Sequence, residues 1–263
     1  SDEMVNDGSD TYVAWLWKAK AGVTSTISAG SISSGVPSVA STVQANTTAG
    51  FSIVSYTGTG ANATFGHGLG AVPKWYFVRR RSSTGHWQHY HAENTANPET
   101  DSLRFTTDAT ADYPYFNDTA PTSSVFSLGN HTNVNEVSNT YVAYCFAEIE
   151  GYSKFGSYTG GGSNFPFIYL GFRASFIMTK STASGNWVIF DTTRDTHNTT
   201  GKYLLADSSD GEGDTGTNTA GHVFDILSNG FKLRNTNAGR NTSGQTYIYM
   251  AFAETSFKYS LAR

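Results

Sequence analysis

The segment His86–Glu93 carries the densest set of ligand-type side chains in the sequence. Side chains alternate faces along a β-strand, so His89, His91 and Glu93 would share one face. Two neutral imidazoles and a carboxylate at that spacing suit a divalent transition metal. The other reading is a face of ordinary half-buried polar residues, because a related run later in the chain has Ile189, Asp191 and Thr193 there. A second candidate is the acidic, Gly-rich stretch Asp207–Asp214. Its Asp210, Glu212 and Asp214 stand at alternate positions and can offer oxygen ligands to Ca²⁺. The EF-hand spacing and its downstream bidentate Glu are missing, and a solvated turn is the alternative.

Aromatic side chains form the third candidate. Tyr113 and Tyr115 lie in a turn-rich run beside Asn117 and Asp118, with Trp87, Tyr90 and His86 available to extend the surface. Flat rings next to amides and carboxylates suit a saccharide, whose CH face stacks while its hydroxyls take hydrogen bonds. Trp187 repeats Trp87 in the later run, which favours packing for both tryptophans. Hydrolysis would call for opposed carboxylates or a Ser/His/Asp set, and no such motif stands out, so no catalytic residue is assigned. Gly66–Gly70 is Gly-rich but has neither a Lys nor a following helix, which excludes a phosphate loop.

These side chains must be positioned by strands. Charged residues make up only 14% of the chain, Thr, Tyr, Phe and Val are frequent, and no window carries capped helical periodicity. One strand is written three times, at Thr11–Ala19, Thr140–Glu148 and Thr246–Glu254. Ser55–Gly58 recurs as Ser157–Gly160, Thr84–Trp87 as Ser184–Trp187, and Phe126–Leu128 as Phe231–Leu233, in the same order. The period is roughly 100 residues, the size of a whole β-domain. The expected architecture is all-β: two tandem antiparallel β-sandwich domains, jelly-roll-like, related by an internal repeat. Residues 1–20 read as the closing strand of a preceding repeat, 21–47 as an extended Ser/Thr/Gly-rich linker, and 48–151 and 152–263 as the two sandwiches. Within the repeated strand, Val142, Tyr144 and Phe146 are bulky and read as the core face. Tyr141, Ala143 and Cys145, on the other face, read as covered by another sheet or chain.

A formal net charge of -4 leaves no basic footprint for nucleic acid, and Arg79–Arg81, the only basic run, alternates faces. The single cysteine, Cys145, permits no disulfide within the chain and reads as a small buried hydrophobe. No apolar stretch has membrane-span length and no signal-peptide pattern opens the sequence, so the expectation is a chain made in a reducing cytoplasm without membrane insertion. An opening copy reduced to a closing strand reads as a slice of a longer array.

Taken together, Ala49–Asn62, Gly66–Gly70, Asn117–Pro121 and Tyr141–Glu148, with Tyr152–Gly160, Leu227–Arg234 and Phe257–Arg263 in the second unit, resemble the tandem domains near the ends of tail-fibre and other virion structural proteins of marine bacteriophages. The likeness runs from about Asp10 to the end. It implies a virion appendage made in the host cytoplasm, contacts with other virion proteins, a homotrimer, and a host-surface glycan as the partner to be read. It carries over no catalytic residue. Two rivals stay open: a fragment of a carbohydrate-active depolymerase, and a purely structural spacer or capsid decoration.

Overall fold

Runs rich in Thr, Tyr, Phe and Val pair into antiparallel sheets, with Gly and Asn at the bends between them. A computed structural model describes residues 8, 10–20, 22–216 and 221–254. The first part of the chain supplies β1 (Ser25–Ile27), β2 (Ser41–Asn46), β3 (Phe51–Thr57), β4 (Ala63–Gly66), β5 (Pro73–Arg80), β6 (Gln88–His91), β7 (Asp101–Arg104), β8 (Ala111–Asp112), β9 (Val125–Leu128) and β10 (Thr140–Ala147). The second supplies β11 (Ser153–Thr159), β12 (Phe167–Tyr169), β13 (Phe176–Ser181), β14 (Val188–Asp191), β15 (Lys202–Leu205), β16 (Gly213–Asp214), β17 (Phe224–Leu227), β18 (Gly230–Leu233) and β19 (Thr246–Phe252). An eight-stranded sheet runs β1-β2-β3-β10-β5-β6-β7-β8, and a six-stranded sheet runs β11-β19-β13-β14-β15-β16. Beyond β1 and β2 the two large sheets follow one strand order. Smaller sheets, β4-β9 and β12-β18-β17, lie over their outer faces. The protein is an all-β sandwich.

The faces of the repeated strand are the reverse of the expected assignment. Tyr141, Ala143 and Cys145 of β10 are fully buried in the first part's own core, with Tyr56, Tyr76, Phe65 and Phe126. Tyr247, Tyr249 and Ala251 of β19 occupy the matching core of the second part. The bulky face instead turns toward the other large sheet. Phe51, Trp75 and Phe146 meet Phe155, Phe176, Met178, Ile248, Met250 and Phe252 in a third core between the sheets. The layers therefore stack as small sheet, large sheet, large sheet, small sheet, and both faces of each repeated strand are dry.

A tyrosine anchor recurs in each outer core. The Tyr56 hydroxyl donates to the Val134 carbonyl (2.6 Å), and the Tyr158 hydroxyl to the Arg240 carbonyl (3.0 Å). Tyr141 and Tyr247 likewise donate to Thr132 and Ala238, tying down the one-turn helices Thr132–Asn135 and Ala238–Asn241.

Among the described residues Thr11–Ala19 enters no sheet. It keeps the alternation of an extended chain, with Val13, Trp15, Trp17 and Ala19 turned inward and Leu16 91% exposed. The third core reaches Trp15, Trp17 and Ala19. Within the stretch expected as an extended linker, residues 22–47 add β1 and β2 to the eight-stranded sheet. Between those strands the chain drapes over β4, where Val39 bridges Phe65 and the Ser38 amide donates to the Thr64 hydroxyl (2.8 Å). Gly66 has no room for a Cβ, which would sit 2.7 Å from the Ile27 side chain. The motif Phe257–Arg263 and residues 1–7 lie outside the described residues.

Candidate functional site

His89 and His91 stand on β6 opposite Phe77 and Trp75 of β5, so the pleat turns both imidazoles toward the second large sheet. Both are fully buried, while Glu93, just past the strand, is exposed. His91 spans the two sheets. Its Nε2–H donates to the Tyr249 carbonyl (3.2 Å) and its Nδ1 accepts from the Glu93 amide (3.2 Å). A carbonyl can only accept and an amide N–H can only donate, so the ring is neutral and both nitrogens are occupied. Burial pulls its pKa down to about 4, partly offset by the bond to Tyr249.

His89 accepts from the Trp75 indole N–H (3.3 Å) and packs against Phe77, Phe105 and Trp187, with ring centroids 5.0, 4.1 and 4.9 Å away. Burial, then the neighbouring His91, holds its pKa well below the usual imidazole range. The two histidines do share a face, but that face is the dry seam between sheets. Glu93 does not join them, and no group of three His, Cys, Asp or Glu side chains able to hold a metal occurs among the described residues. Both ring nitrogens of His91 are bonded, whereas the buried Nε2 of His89 has no hydrogen-bond partner among the described residues, and the three side chains of the metal reading do not converge.

The acidic loop is likewise engaged internally. Glu212 pairs with Arg194 (3.0 Å) and Lys202 (3.7 Å), and Asp214 accepts from the Gly216 amide (2.7 Å). The Asp210 amide donates to the Ser208 hydroxyl (3.1 Å). The carboxylates of Glu212 and Asp214 thus hold their own turn and the neighbouring Arg194 and Lys202.

The proposed aromatic platform is divided by the sheet. Trp87 packs on the seam side, against Phe77 and Tyr144, with the Arg79 guanidinium 5.3 Å from its ring. Tyr90 is buried on the opposite side, stacked on Tyr76 at 4.8 Å, and burial raises its pKa to about 12. Tyr115 is buried too, its hydroxyl receiving Arg104 (2.7 Å) and Asn133 (3.3 Å). Tyr113 is half-buried between Tyr115 (4.9 Å) and the Arg104 guanidinium (4.7 Å). Tyr90 and Tyr115 are framework, and no ligand face joins Trp87 to Tyr113.

Sequence reasoning missed the groups that lock the two parts together. The Lys180 ammonium is buried and donates to the carbonyls of Asp108 (2.9 Å), Ser181 (2.7 Å) and Ala183 (3.0 Å). Desolvation lowers its pKa to about 8. The Trp187 indole donates to the Arg104 carbonyl (2.6 Å), and the amides of Thr110 and Gly185 bond across the seam to Thr182 (2.8 Å) and Thr107 (2.9 Å). Only the position of Lys180 at the end of an apolar strand hinted at burial.

An apolar cleft of about 390 Å³ is walled by Trp15, Trp17, Ile53, Phe77, Tyr144 and Ile189 of the seam. On the outer small sheet, Phe167 (44% exposed) and Tyr169 (59% exposed) share the solvent side of β12 around buried Ile168. The Lys154 ammonium lies 5.5 Å from the Tyr169 ring, and Lys232 stands opposite Phe167 in the neighbouring strand. Rings i and i+2 on a strand, flanked by ammonium donors, offer stacking and hydrogen bonds to one flat polar ligand.

The family described as "Domain of unknown function (DUF7483)" matches residues 1–256 of the chain. No curated protein and no solved structure matches it.

Proposed function

We propose, from the premise that this chain belongs to the DUF7483 domain family, that it is a non-enzymatic structural module of a virion appendage. The resemblance of its motifs to phage tail-fibre proteins supplies the setting. The observation that carries the reading is the aromatic seam, in which Trp17, Phe146 and Phe252 lie mutually in contact, with centroids 6.0, 5.2 and 5.7 Å apart. Ring contacts of this kind add about 0.5–1.5 kcal/mol each beyond area burial, and they join two β-rich parts into one stiff block. Such a block suits a load-bearing appendage better than a site that must open and close. Antibodies against this module should decorate the outside of intact particles. Purified particles lacking the chain would reject the reading.

A second reading concerns recognition. Phe167 and Tyr169, with Lys154 and Lys232, form a surface suited to a host-surface glycan, in place of Tyr113, Tyr115, Trp87 and Tyr90. Weak contacts of this type gain strength when an appendage repeats them. Binding of host polysaccharide that is lost in Tyr169→Ala supports recognition. Release of new reducing ends from that polysaccharide would instead favour the depolymerase alternative, and no binding to host cells would favour the spacer.

A further inference from the structure

Sheet edges expose unpaired N–H and C=O groups, and proteins blunt them with short strands, charges, prolines or bulges. Among the described residues most edges of this molecule are short. The eight-stranded sheet ends in β1 (3 residues) and β8 (2 residues), and the far side of the six-stranded sheet ends in β16 (2 residues). The small sheets end in strands of 3 or 4 residues. The exception is β11, an edge strand of 7 residues in unbroken register with β19.

Among the described residues nothing guards this edge. β11 holds no proline, and its one charged side chain, Lys154, lies over the Tyr169 ring. Ser157 and Thr159 are exposed. The Tyr152 carbonyl accepts from Ala253 (2.7 Å) and the Gly160 amide donates to Gln245 (2.8 Å), so the even-numbered residues address β19. Alternation then turns the backbone groups of Phe155, Ser157 and Thr159 outward.

The first part of the chain shows what this edge accepts. β3 carries the same Ser-Tyr-Thr-Gly signature and the same tyrosine anchor as β11, and it is flanked by β10 as β11 is by β19. Its other edge is not bare: β2 pairs there, with Gln44 opposite Ile53 and Thr42 opposite Ser55, and β1 follows. Ile53 and Ser55 are the counterparts of Phe155 and Ser157. No strand fills that place beside β11 among the described residues.

We propose that β11 is an interface with a second copy of this chain, formed by antiparallel pairing of the two β11 strands about a two-fold axis at Ser157. A two-fold contact needs only self-complementarity. Outward-facing Ser157 exchanges both backbone bonds with its mate, Phe155 falls opposite Thr159, and two six-stranded sheets become one. The small Ser157 side chain leaves the axis free of steric conflict. This contact gives pairs, in contrast to the trimer implied by the tail-fibre resemblance.

Sedimentation equilibrium of the chain should report a pair. Ser157→Pro removes the central outward N–H, a change an edge strand tolerates, and should shift the mass to the monomer with unchanged circular dichroism. Should that variant misfold, hydrogen exchange of the wild-type chain decides. The Phe155, Ser157 and Thr159 amides should be protected at high concentration and lose protection on dilution. A monomer at all concentrations, a trimer, a pair that survives Ser157→Pro, or protection that persists in the monomer would each overturn the proposal.

Discussion

Trp17 and Phe252 meet edge to face, their ring centroids 5.2 Å apart at an interplanar angle of 67°. They hold the same position in the first and third writings of one strand, and Phe146 holds it in the second. The first writing therefore packs as the other two do although, among the described residues, it belongs to no sheet.

Replacing Trp17 with Ala should destabilise the fold by about 3 kcal/mol, the low end of the range for truncating a buried large aromatic, because Trp17 is half-buried. A double-mutant cycle with Phe252→Ala should give a coupling of about 1 kcal/mol. Denaturant unfolding of the four proteins supplies the numbers, and zero coupling would mean that the contact contributes nothing.

Acid should destabilise the protein before its carboxylates titrate. Burial lowers the pKa of His67, His91 and His222 from 6.5 to about 4, and it lowers that of His89 as well. A group whose folded pKa is depressed contributes stability that is complete above 6.5 and lost as pH falls toward 4. For fully buried His91 the span corresponds to about 3 kcal/mol. His91→Gln keeps hydrogen-bonding capacity but cannot charge, so its stability between pH 6.5 and 4 should fall less steeply than that of the parent. Equal slopes would count against the assignment.

Lys180→Met should cost about 3 kcal/mol, because it leaves the carbonyls of Asp108, Ser181 and Ala183 buried without their donor. The loss should show as faster proteolysis near Asp108, where the first part is tied to the second. A neutral outcome would mean the ammonium merely tolerates its site.

Calcium and chelator should leave the melting temperature unchanged, since Glu212 is held by Arg194 and Lys202 and Asp214 by the Gly216 amide. A calcium-dependent rise abolished by Glu212→Gln would restore a cation to this loop.

The all-β class, the burial of Cys145 and the shared face of His89 and His91 were legible in the sequence. Alternation says that a strand has two faces, but not which partner each face meets. Tyr141 and Phe146 are both bulky and apolar, and only the packing of one large sheet on the other sorts them. The same limit misled the metal reading, because the partners of His91 are a carbonyl of β19, 158 residues away, and a local amide. Trp87 and Tyr90 look like one surface in a linear reading, yet an odd separation along the chain entering β6 puts them on opposite sides. The arm formed by β1 and β2 was hidden by its small polar residues, which are typical of both linkers and edge strands.

The meeting of Trp17, Phe146 and Phe252 at one point also constrains how this sequence can change. A larger or smaller ring at any of the three is felt by the other two, so mutations there are selected jointly and the three copies drift as a set. A catalogue of natural variants should show correlated replacement at these three sites.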